Sequence, residues 1–528
     1  MKAFDSYYKL ENKIGSGSYG VVYMATHITT GIKYAVKKCT FYANEGIHPL
    51  IYREISVLKK MSHPNIVTLY DVIIDVNECD IIVYIVLELC DCDLSDYFRK
   101  TKNIPIEDNL LKFNQIVFAI KYMHSLGYNH GDLTLKNIML KDGQIKIIDF
   151  GFSFRVNRIM YYPPTVYVRP IELLGKKYHY THTSSDSWAI GFIGYMLINM
   201  EGLFWGNTDQ ETYSSICRKL SVPSLDLIQK YGLDHFKIPK NYPNENVKLN
   251  ESIKGYLNYD YLKRKKVFDI DKEKIIPYYF MVKEKMSPVN LSTEQRSYML
   301  SMLLHIYKYI KYPKEIVYLT FFNFYKMLPS LIGEYELFFL SSFYLSYQII
   351  STKRLEFGNY VKMISKVFRY DAKKLRFILY KTCRFLEFDL DGWTCYSYYY
   401  YLPEKYQSLF VFINFLFFFF ELPIVNERDK FVIIYTIIKM NFFKDQHHYI
   451  DNTLDKIMKT NILYTIESLE KILDPLISIH DIDIDCNTEV NRIIKYLIND
   501  FGYIEEYKTF KKMDISVIYN YVNNLISQ

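Results

Sequence analysis

The sequence predicts an α+β domain followed by an all-helical domain, and three differences along the chain support this prediction. Up to about residue 200, short β-branched runs alternate with helical patterns, and glycines mark the turns. From about residue 270 onward, glycines are few and apolar residues recur at helical spacing. The stretch at 237–246 between the two parts is rich in proline and asparagine, which is typical of a loop.

Composition and charge exclude several classes of protein. At 528 residues, with 50% apolar residues, the chain is long enough to bury more than one core. The net charge of +7 is small and favours neither a nucleic-acid-binding nor a membrane-binding surface. The eight cysteines show no pairing pattern, and Cys90 and Cys92 lack a second ligand pair. Reduced thiols are therefore expected, and zinc is not.

Targeting features favour an intracellular protein, either cytoplasmic or nuclear. The first residues, Met1 to Asp5, contain no apolar signal region. The most apolar run, Leu409 to Phe420, has about twelve residues, which is too short to cross a bilayer and typical of a buried helix. The 52 tyrosines and the many Ile, Lys, Asn and Phe residues indicate an AT-rich genome, such as that of a large DNA virus.

A glycine-rich turn opens the α+β domain. Three glycines at G-x-G-x-x-G spacing lie between two strand-like runs, Lys13-Ile14 and Val21-Val22-Tyr23. In such a hairpin the backbone N–H groups can approach phosphate oxygens closely, because no Cβ intervenes. The motif alone is weak, and its value depends on the motifs that follow it. The residues expected to contact a nucleotide here are Gly15, Ser16, Gly17, Ser18, Tyr19 and Gly20.

A lysine and a glutamate complete a candidate phosphate site. Lys37 ends the strand-like run from Lys33, where its ammonium would bind the α and β phosphates of ATP. Glu54 lies in a helical pattern and would orient this lysine. The alternative for Lys37 is a surface lysine on a strand. The apolar residues expected to enclose an adenine ring are Ile14, Val22, Ala35 and Met139.

A later loop carries the groups expected to perform the reaction. Asp132 is the candidate base that accepts the proton of a substrate hydroxyl. Asn137 follows five residues later, and Asp149 follows the strand-like run Gln144 to Ile148. Both side chains offer hard oxygen ligands suited to Mg²⁺. Each of the three alone is common in turns, but together they predict phosphoryl transfer that uses ATP and Mg²⁺.

The α+β domain resembles the eukaryotic protein kinases over about residues 5–268. The motifs that carry the resemblance are Gly15–Val22, Ala35–Lys37, Arg53-Glu54, His130–Asn137, Asp149–Gly151 and Arg169–Glu172. The segments that narrow it to the cyclin-dependent kinases are Ile55–Val67, Glu88–Leu94 and Thr165–Gly175. The resemblance implies a two-lobed protein kinase fold, with an N-lobe of about 5–88 and a C-lobe of about 89–268.

The resemblance also implies roles for single residues. The hinge from Glu88 to Cys90 would hydrogen-bond adenine, and Asp93 would reach the ribose. Asp186 matches the buried aspartate of a C-lobe helix, and Arg264 matches the arginine that pairs with Glu172.

One departure from the family concerns activation. The arginine that precedes the base in the family is Gly131 here, and the threonine whose phosphate it binds falls at Met160. Both halves of one charge-assisted contact are absent, so we expect activity without phosphorylation of this segment. The cations that remain for a phosphate on Tyr161 or Tyr162 are Arg53 and Arg155.

Further departures concern the γ-phosphate and the substrate. The lysine expected two residues after the base is Thr134, and Lys136, four residues after it, would serve the γ-phosphate instead. Thr165 matches the threonine that supports the base in Ser/Thr kinases, which favours that class. The segment from Asp149 to Glu172 is several residues shorter than usual, so proline-directed substrate choice is not predicted.

The helical part resembles a cyclin box over 270–400, followed by a weaker repeat over 401–528. The patterns that carry the resemblance lie at Glu294–Tyr307, Glu336–Ser346 and Lys373–Leu390. The resemblance implies a cyclin-like activator that acts in cis, with helix residues Leu337 to Leu345 meeting Ile47 to Ile51. A tether of this kind raises the effective concentration of the partner to about millimolar. The alternative is a generic helical domain.

The sequence as a whole predicts a Ser/Thr protein kinase that phosphorylates protein substrates and is activated by its own cyclin-like domain. One alternative is a pseudokinase scaffold whose helical half recruits partners. Another is a small-molecule phosphotransferase, since His130-Gly131-Asp132 also occurs in that superfamily. The segments Arg169–Gly175 and Asp186–Trp188 favour a kinase of protein substrates.

Overall fold

The computed structural model describes residues 4–391, except 18, 78, 102–103, 156–158, 161–164, 176–178, 181–182, 238–246, 248, 268–290, 292, 314, 332 and 352. The chain divides into two units, Met1–Ile270 with Thr352–Tyr360, and Asp271–Ser351 with Val361–Gln528. A short segment from the helical part of the sequence therefore belongs to the first unit. The second helical repeat expected at 401–528, with its apolar runs, lies outside the described residues.

A five-stranded antiparallel sheet forms the beginning of the first unit. Its strands are β1 (Tyr8–Gly17), β2 (Gly20–His27), β3 (Lys33–Tyr42), β4 (Leu69–Val76) and β5 (Asp80–Leu87), in the spatial order β1-β2-β3-β5-β4. Side chains alternate between the two faces of each strand. Val36 and Val86 point into a small core that includes Phe4 and Tyr84, so Ala35 and Lys37 face the opposite side.

Helix α1 (Pro49–Leu58) lies between β3 and β4 in sequence. His48 is its N-cap, and proline occupies the first turn, where its missing N–H costs no hydrogen bond. All ten residues of α1 are buried.

The rest of the first unit is mainly helical. Its described helices are α2 (Leu94–Lys100), α3 (Ile106–Ser125), α4 (Thr183–Asn199), α5 (Asp209–Leu220), α6 (Leu225–Tyr231) and α7 (Glu251–Lys254). Helix α4 is apolar on nearly all sides because it lies in the core, where Trp188 and Phe192 join Ile116 and Ile120 of α3.

Short strands lie between these helices and beside the loops that contain Asp132 and Asp149. They are β6 (Cys92–Asp93), β7 (Tyr128–Asn129), β8 (Ile138–Lys141), β9 (Gln144–Ile147), β10 (Phe154–Arg155), β11 (Ile159–Met160) and β12 (His179–Tyr180). They pair as β6-β8-β9, β7-β10 and β11-β12. The predicted order of a sheet followed by a helical lobe is confirmed.

Five further helices are described in the remainder of the chain: α8 (Thr293–Tyr309), α9 (Glu315–Met327), α10 (Tyr335–Ile350), α11 (Phe357–Phe368) and α12 (Ala372–Phe385). Asp371 caps α12 by accepting hydrogen bonds from the backbone N–H groups of Lys373 and Lys374. Glu387 and Phe388 take positive φ values after α12. The prediction of a helical region is confirmed, and its likeness to a cyclin box stays a prediction. Among the described residues, no helix is both long enough and apolar enough to cross a membrane.

Candidate active site

The glycine-rich turn is the hairpin between β1 and β2, with Gly17 paired to Gly20. A Cβ at Gly20 would lie 2.5 Å from the carbonyl oxygen of Lys38, so the fold itself requires glycine there. A Cβ at Gly17 would meet nothing within 4 Å, and one at Gly15 only Val22 at ordinary distance. Because the protein does not exclude a side chain at Gly15 or Gly17, close approach of a ligand to the backbone is the remaining reason for glycine. Ser18 lies outside the described residues, and Ser16 is exposed.

Strand register places the other N-lobe site residues on one face of the sheet. Val22 lies opposite Lys37, and Ala35 lies opposite Leu87. Ile14 lies in the bulge of β1, where 49% of its surface is exposed, as suits an apolar residue that covers a ligand. Met139, half-buried on β8, pairs with Asp93 of β6.

Lys37 and Glu54 form a buried ion pair. The ammonium lies 2.8 and 2.7 Å from the two carboxylate oxygens, and both side chains are largely removed from solvent. Burial alone would lower the pKa of Lys37, but the carboxylates of Glu54 and Asp149 raise it above its usual value. Burial raises the pKa of Glu54, and the Lys37 ammonium opposes that rise. The short distances from the ammonium to both carboxylate oxygens are those of an ionised pair. The lysine is therefore held charged and oriented, and it is not a surface residue.

The N-terminus of α1 is linked to the glycine-rich turn by two rings. His48 caps α1 by accepting the backbone N–H of Leu50 at 3.3 Å, and its ring stacks on Tyr19 at 4.2 Å. Burial, followed by the charges of Arg354 and Arg53, lowers the pKa of His48 to about 4. The imidazole is thus neutral at physiological pH, as acceptance of the capping hydrogen bond requires.

The hinge follows β5. The Glu88 carboxylate is bound by Lys141 at 2.9 Å and Lys146 at 3.0 Å, so it supports the hinge and is not available to a ligand. Burial acts to raise the pKa of the Glu88 carboxyl, but the two lysines together outweigh this effect, so the pKa lies below its usual value. The backbone N–H of Cys90 has no partner among the described residues, which leaves a donor for an adenine ring. Asp93 caps α2 through one oxygen, 2.7 Å from the N–H of Asp96.

A buried aspartate in α4 holds the loop that contains the candidate base. Asp186 accepts the backbone N–H groups of His130 at 2.8 Å and Gly131 at 3.0 Å, together with Nε2 of His124 at 2.8 Å. Burial would raise the pKa of Asp186, but these contacts lower it. A buried carboxylate with three hydrogen bonds anchors the loop to the core.

Asp132 is positioned by two neighbours. Its Oδ1 accepts the backbone N–H of Thr165 at 2.8 Å, and its Oδ2 lies 3.3 Å from Nδ2 of Asn137. Thr165 therefore contacts the candidate base through its backbone N–H, and the supporting role of its side chain stays a prediction. Thr134 is buried, and its hydroxyl caps the turn that ends at Asn137.

Asn137 and Asp149 fit a Mg²⁺ ion held mainly by nucleotide phosphates. The side-chain nitrogen of Asn137 donates to Asp132. The side-chain oxygen of Asn137 therefore points the other way and accepts no hydrogen bond from the described residues. Asp149 has a φ of 63° and uses only Oδ1 locally, at 3.4 Å from the N–H of Gly151. The described part of the chain contains no group of three or more His, Cys, Asp or Glu residues that could hold a metal ion by themselves. Two oxygen ligands from the protein suit Mg²⁺ that is also bound by phosphate.

The absence of an arginine at position 131 has a backbone cause. Gly131 has a φ of 82°, and a Cβ there would lie 2.4 Å from the carbonyl oxygen of Phe152. The two cations that remain nearby contact aromatic rings instead. Arg53 lies 4.4 Å from the Phe154 ring centre, and Arg155 lies 5.7 Å from that of Tyr128 and donates to its hydroxyl at 3.2 Å.

The pair between Glu172 and Arg264 forms as the resemblance implied. The two guanidinium nitrogens lie 2.6 and 2.9 Å from the carboxylate oxygens, and the arginine is fully buried over Trp188. Lys136, in contrast, is exposed and forms no ion pair among the described residues. It lines a cavity on the side of α2 and α4.

Sequence reasoning missed three supports of the site: the cap by His48, the lysines on Glu88, and the contacts of Arg354, Phe357 and Gly358 with Asn44 and Glu45, just before α1. The His48-Pro49 pair was a readable signal, since a capping residue before proline marks a helix start. The contacts of Glu88 and of residues 354–358 join residues far apart in sequence, so no local sequence pattern predicts them.

The chain is similar to known kinases over its first half. Residues 8–275 match the protein kinase domain family. A putative serine/threonine-protein kinase L232 of Acanthamoeba polyphaga mimivirus is 31% identical over 280 residues, which is 50% of this chain and 44% of that protein. Cyclin-dependent kinase F-3 of Oryza sativa subsp. japonica is 29% identical over 269 residues, 48% of this chain and 61% of that protein.

The matched region thus spans less than two thirds of each of these relatives. The prediction of a protein kinase domain with serine/threonine kinases among its relatives is confirmed. Because the match to this family, over residues 8–275, extends over half of its length, this chain belongs to the protein kinase family.

Proposed function

We propose that this protein transfers the γ-phosphoryl group of ATP to serine or threonine hydroxyls of protein substrates. The observation that carries the proposal is the joint presence of the buried Lys37–Glu54 pair and the anchored Asp132. One group positions phosphates and the other accepts a proton, and phosphoryl transfer depends mainly on such positioning and electrostatics. The serine/threonine class is supported by the threonine at position 165, which the family resemblance assigns to that class, and by the name of the mimivirus relative.

Asp132 accepts the proton of the substrate hydroxyl, the oxygen forms a bond to the γ-phosphorus, and the bond to the β–γ bridging oxygen breaks, so that ADP leaves. Lys37 would hold the α and β phosphates. When bound through Asn137 and Asp149, Mg²⁺ would neutralise phosphate charge. The N–H of Cys90 and the apolar face around Ala35 would hold adenine.

We further propose that the helical part activates the kinase domain in cis, as a cyclin-like partner. The support is the segment Thr352–Tyr360, which belongs to the first unit. The N–H groups of Phe357 and Gly358 donate to the carbonyl oxygens of Glu45 and Asn44, at 3.1 and 2.6 Å, a few residues before α1. A Cβ at Gly358 would lie 2.7 Å from the Asn44 oxygen, so this approach requires glycine.

Residues 44 and 45 lead into the helix that carries Glu54, so their position bears on the Lys37–Glu54 pair. Holding this segment from outside the N-lobe would favour the orientation of α1 in which the pair forms.

The intracellular location, cytoplasmic or nuclear, and an origin in an AT-rich genome such as that of a large virus remain part of this proposal.

A radiolabelled-ATP assay on a protein mixture tests the proposed activity. The full chain should label proteins on serine or threonine, and Asp132→Asn should reduce the rate by at least about a hundredfold, the usual contribution of a general base. Nucleotide binding without transfer by the unaltered chain would instead favour the pseudokinase scaffold. Labelling of small molecules only would favour the small-molecule phosphotransferase.

A further inference from the structure

A cavity of about 330 Å³ lies beside the loop that carries Asp132, and apart from Lys136 its lining residues are not among those expected to contact the nucleotide. Its walls include Phe192 of α4 with Phe204 and Trp205, from the loop after α4. Lys136 and Tyr167 complete the side nearest the candidate base. Phe192 and Phe204 are buried, whereas 56% of the Trp205 surface is exposed. The cavity therefore has an apolar floor and one exposed aromatic edge.

The cavity adjoins the reacting groups. Lys136 lies four residues after Asp132, so their Cα atoms are at most about 14 Å apart. Tyr167 is hydrogen-bonded to Thr134 and follows Thr165, whose N–H holds the base. An extended substrate advances about 3.3 Å per residue. An occupant of the cavity would therefore lie within about four residues of the phosphorylated hydroxyl.

The charges around the cavity favour an anion. Lys136 is exposed and unpaired among the described residues, and no acidic side chain lines the cavity. Near the lining residues, Asp96 pairs with Arg99 and Lys100, and Asp209 pairs with Arg169. Glu201 and Glu211 accept hydrogen bonds from the Tyr195 hydroxyl and the backbone N–H of Asn207. Arg218 lies 5.8 Å from the Trp205 ring centre.

We propose that Lys136 and this cavity select an acidic substrate residue, aspartate or glutamate, within about four positions of the phosphorylated hydroxyl. The aromatic wall receives the methylene groups of the acidic substrate residue, and the Lys136 ammonium pairs with the carboxylate of that residue. The inference rests on the proposed protein kinase activity. It gives Lys136 a role in substrate choice, in place of the γ-phosphate role that its sequence position suggested.

Paired peptides and the full chain test this inference. Each pair carries glutamate or glutamine at one position, from four residues before to four after the acceptor. At one position the unaltered protein should favour glutamate by at least roughly fivefold in kcat/KM, the size expected for a partly exposed ion pair. Lys136→Glu should reverse that preference, and Trp205→Ala should reduce it. Lys121→Glu, a charge change on the exposed side of α3, should retain it.

Three outcomes would count against the inference in different ways. Equal losses on glutamate and glutamine peptides in Lys136→Glu, mainly in kcat, would assign the lysine to the γ-phosphate. A glutamate preference unaffected by Lys136→Glu and Trp205→Ala would place the acidic site elsewhere. Absence of transfer to every peptide and protein by the unaltered chain would overturn the proposed function itself.

Discussion

At the residue scale, two charged groups of the candidate active site are each held by a partner from a distant part of the chain. Lys37 on β3 is held by Glu54 on α1, and Asp132 by the N–H of Thr165. These partners remove conformational freedom before a nucleotide binds, which is how an enzyme places charge without reorganisation. Substitutions at these residues should therefore affect rate more than stability, except where a buried charge loses its counter-charge.

Lys37→Met should lower kcat/KM by at least about a hundredfold, because it removes a positive charge aimed at the phosphates. Lys38→Met is the matched control, since Lys38 is the next residue on β3 and its ammonium lies over Tyr84. Glu54→Gln should also lower the rate and, in addition, destabilise the fold by about 3 kcal/mol, because Lys37 then loses its buried counter-charge. Steady-state kinetics and thermal unfolding measure the two effects. Equal activity of the Lys37 and Lys38 variants would contradict the assignment.

Activity should not depend on phosphorylation of the activation segment. Gly131 cannot bind a phosphate, and Arg53 and Arg155 already contact Phe154 and Tyr128. Phosphatase treatment of the purified protein should leave the rate within about twofold, with a phosphate-dependent kinase treated in parallel as the control. A loss of tenfold or more would show that phosphate on Tyr161, Tyr162 or Thr165 is required.

At the element scale, the β1–β2 hairpin and α1 are joined at their ends. The hairpin approaches β3 so closely that Gly20 cannot carry a side chain, while Tyr19 stacks on the residue that caps α1. The position of the glycine-rich turn is therefore coupled to the helix that carries Glu54. A substitution of the cap residue His48 should therefore affect both the glycine-rich turn and α1.

Gly20→Ala and Gly17→Ala form a matched pair of substitutions within this hairpin. The first should lower the melting temperature, because its Cβ meets the Lys38 carbonyl oxygen, and the second should leave it unchanged. Gly17→Ala should instead weaken ATP binding, because the side chain occupies space that a phosphate would approach. Thermal unfolding with and without ATP separates the two effects. A fall in stability but unchanged ATP affinity for Gly17→Ala would exclude this position from the nucleotide site.

The His48 cap should make folding stability depend on pH. Its pKa is lowered to about 4 in the fold, against an ordinary value near 6.5. Between these values the unfolded chain binds a proton that the folded chain does not, so stability should fall as pH falls from about 6.5 towards 4. His48→Asn keeps a good cap but cannot titrate there, so it should lose less stability over this range. If the free energies of unfolding of both proteins fell by the same amount between pH 7 and 4.5, this result would contradict the role of His48.

At the scale of the whole molecule, the first unit is not continuous in sequence. Its residues 352–360 come from the helical part, and they bond to the segment before α1 through backbone groups. Arg354 adds a pair with Glu45 at 3.3 Å, which is exposed and contributes little. A fragment cut at about residue 268 therefore lacks part of its own structural unit.

Fragment 1–268 should melt at a lower temperature and phosphorylate more slowly than the full chain, with partial recovery when residues 270–528 are added at high concentration. In the full chain, Gly358→Val should reproduce much of this loss, because its side chain cannot fit against Asn44. Asn359→Ala, an exposed neighbour, should behave like the unaltered protein. Full activity of fragment 1–268 would contradict activation in cis and favour a recruiting role for the helical part.

The sequence by itself determined which residues are proposed to carry the chemistry, because Lys37, Asp132, Asn137 and Asp149 lie in motifs that resemble those of a known family. It also determined the order of sheet and helices through hydrophobic periodicity. Tertiary structure alone showed that Glu88 is engaged by two lysines, that Gly131 is required by the carbonyl of Phe152, and that Lys136 lines a cavity. Such features depend on packing between residues far apart in the chain, and local sequence patterns do not encode which distant atoms will meet.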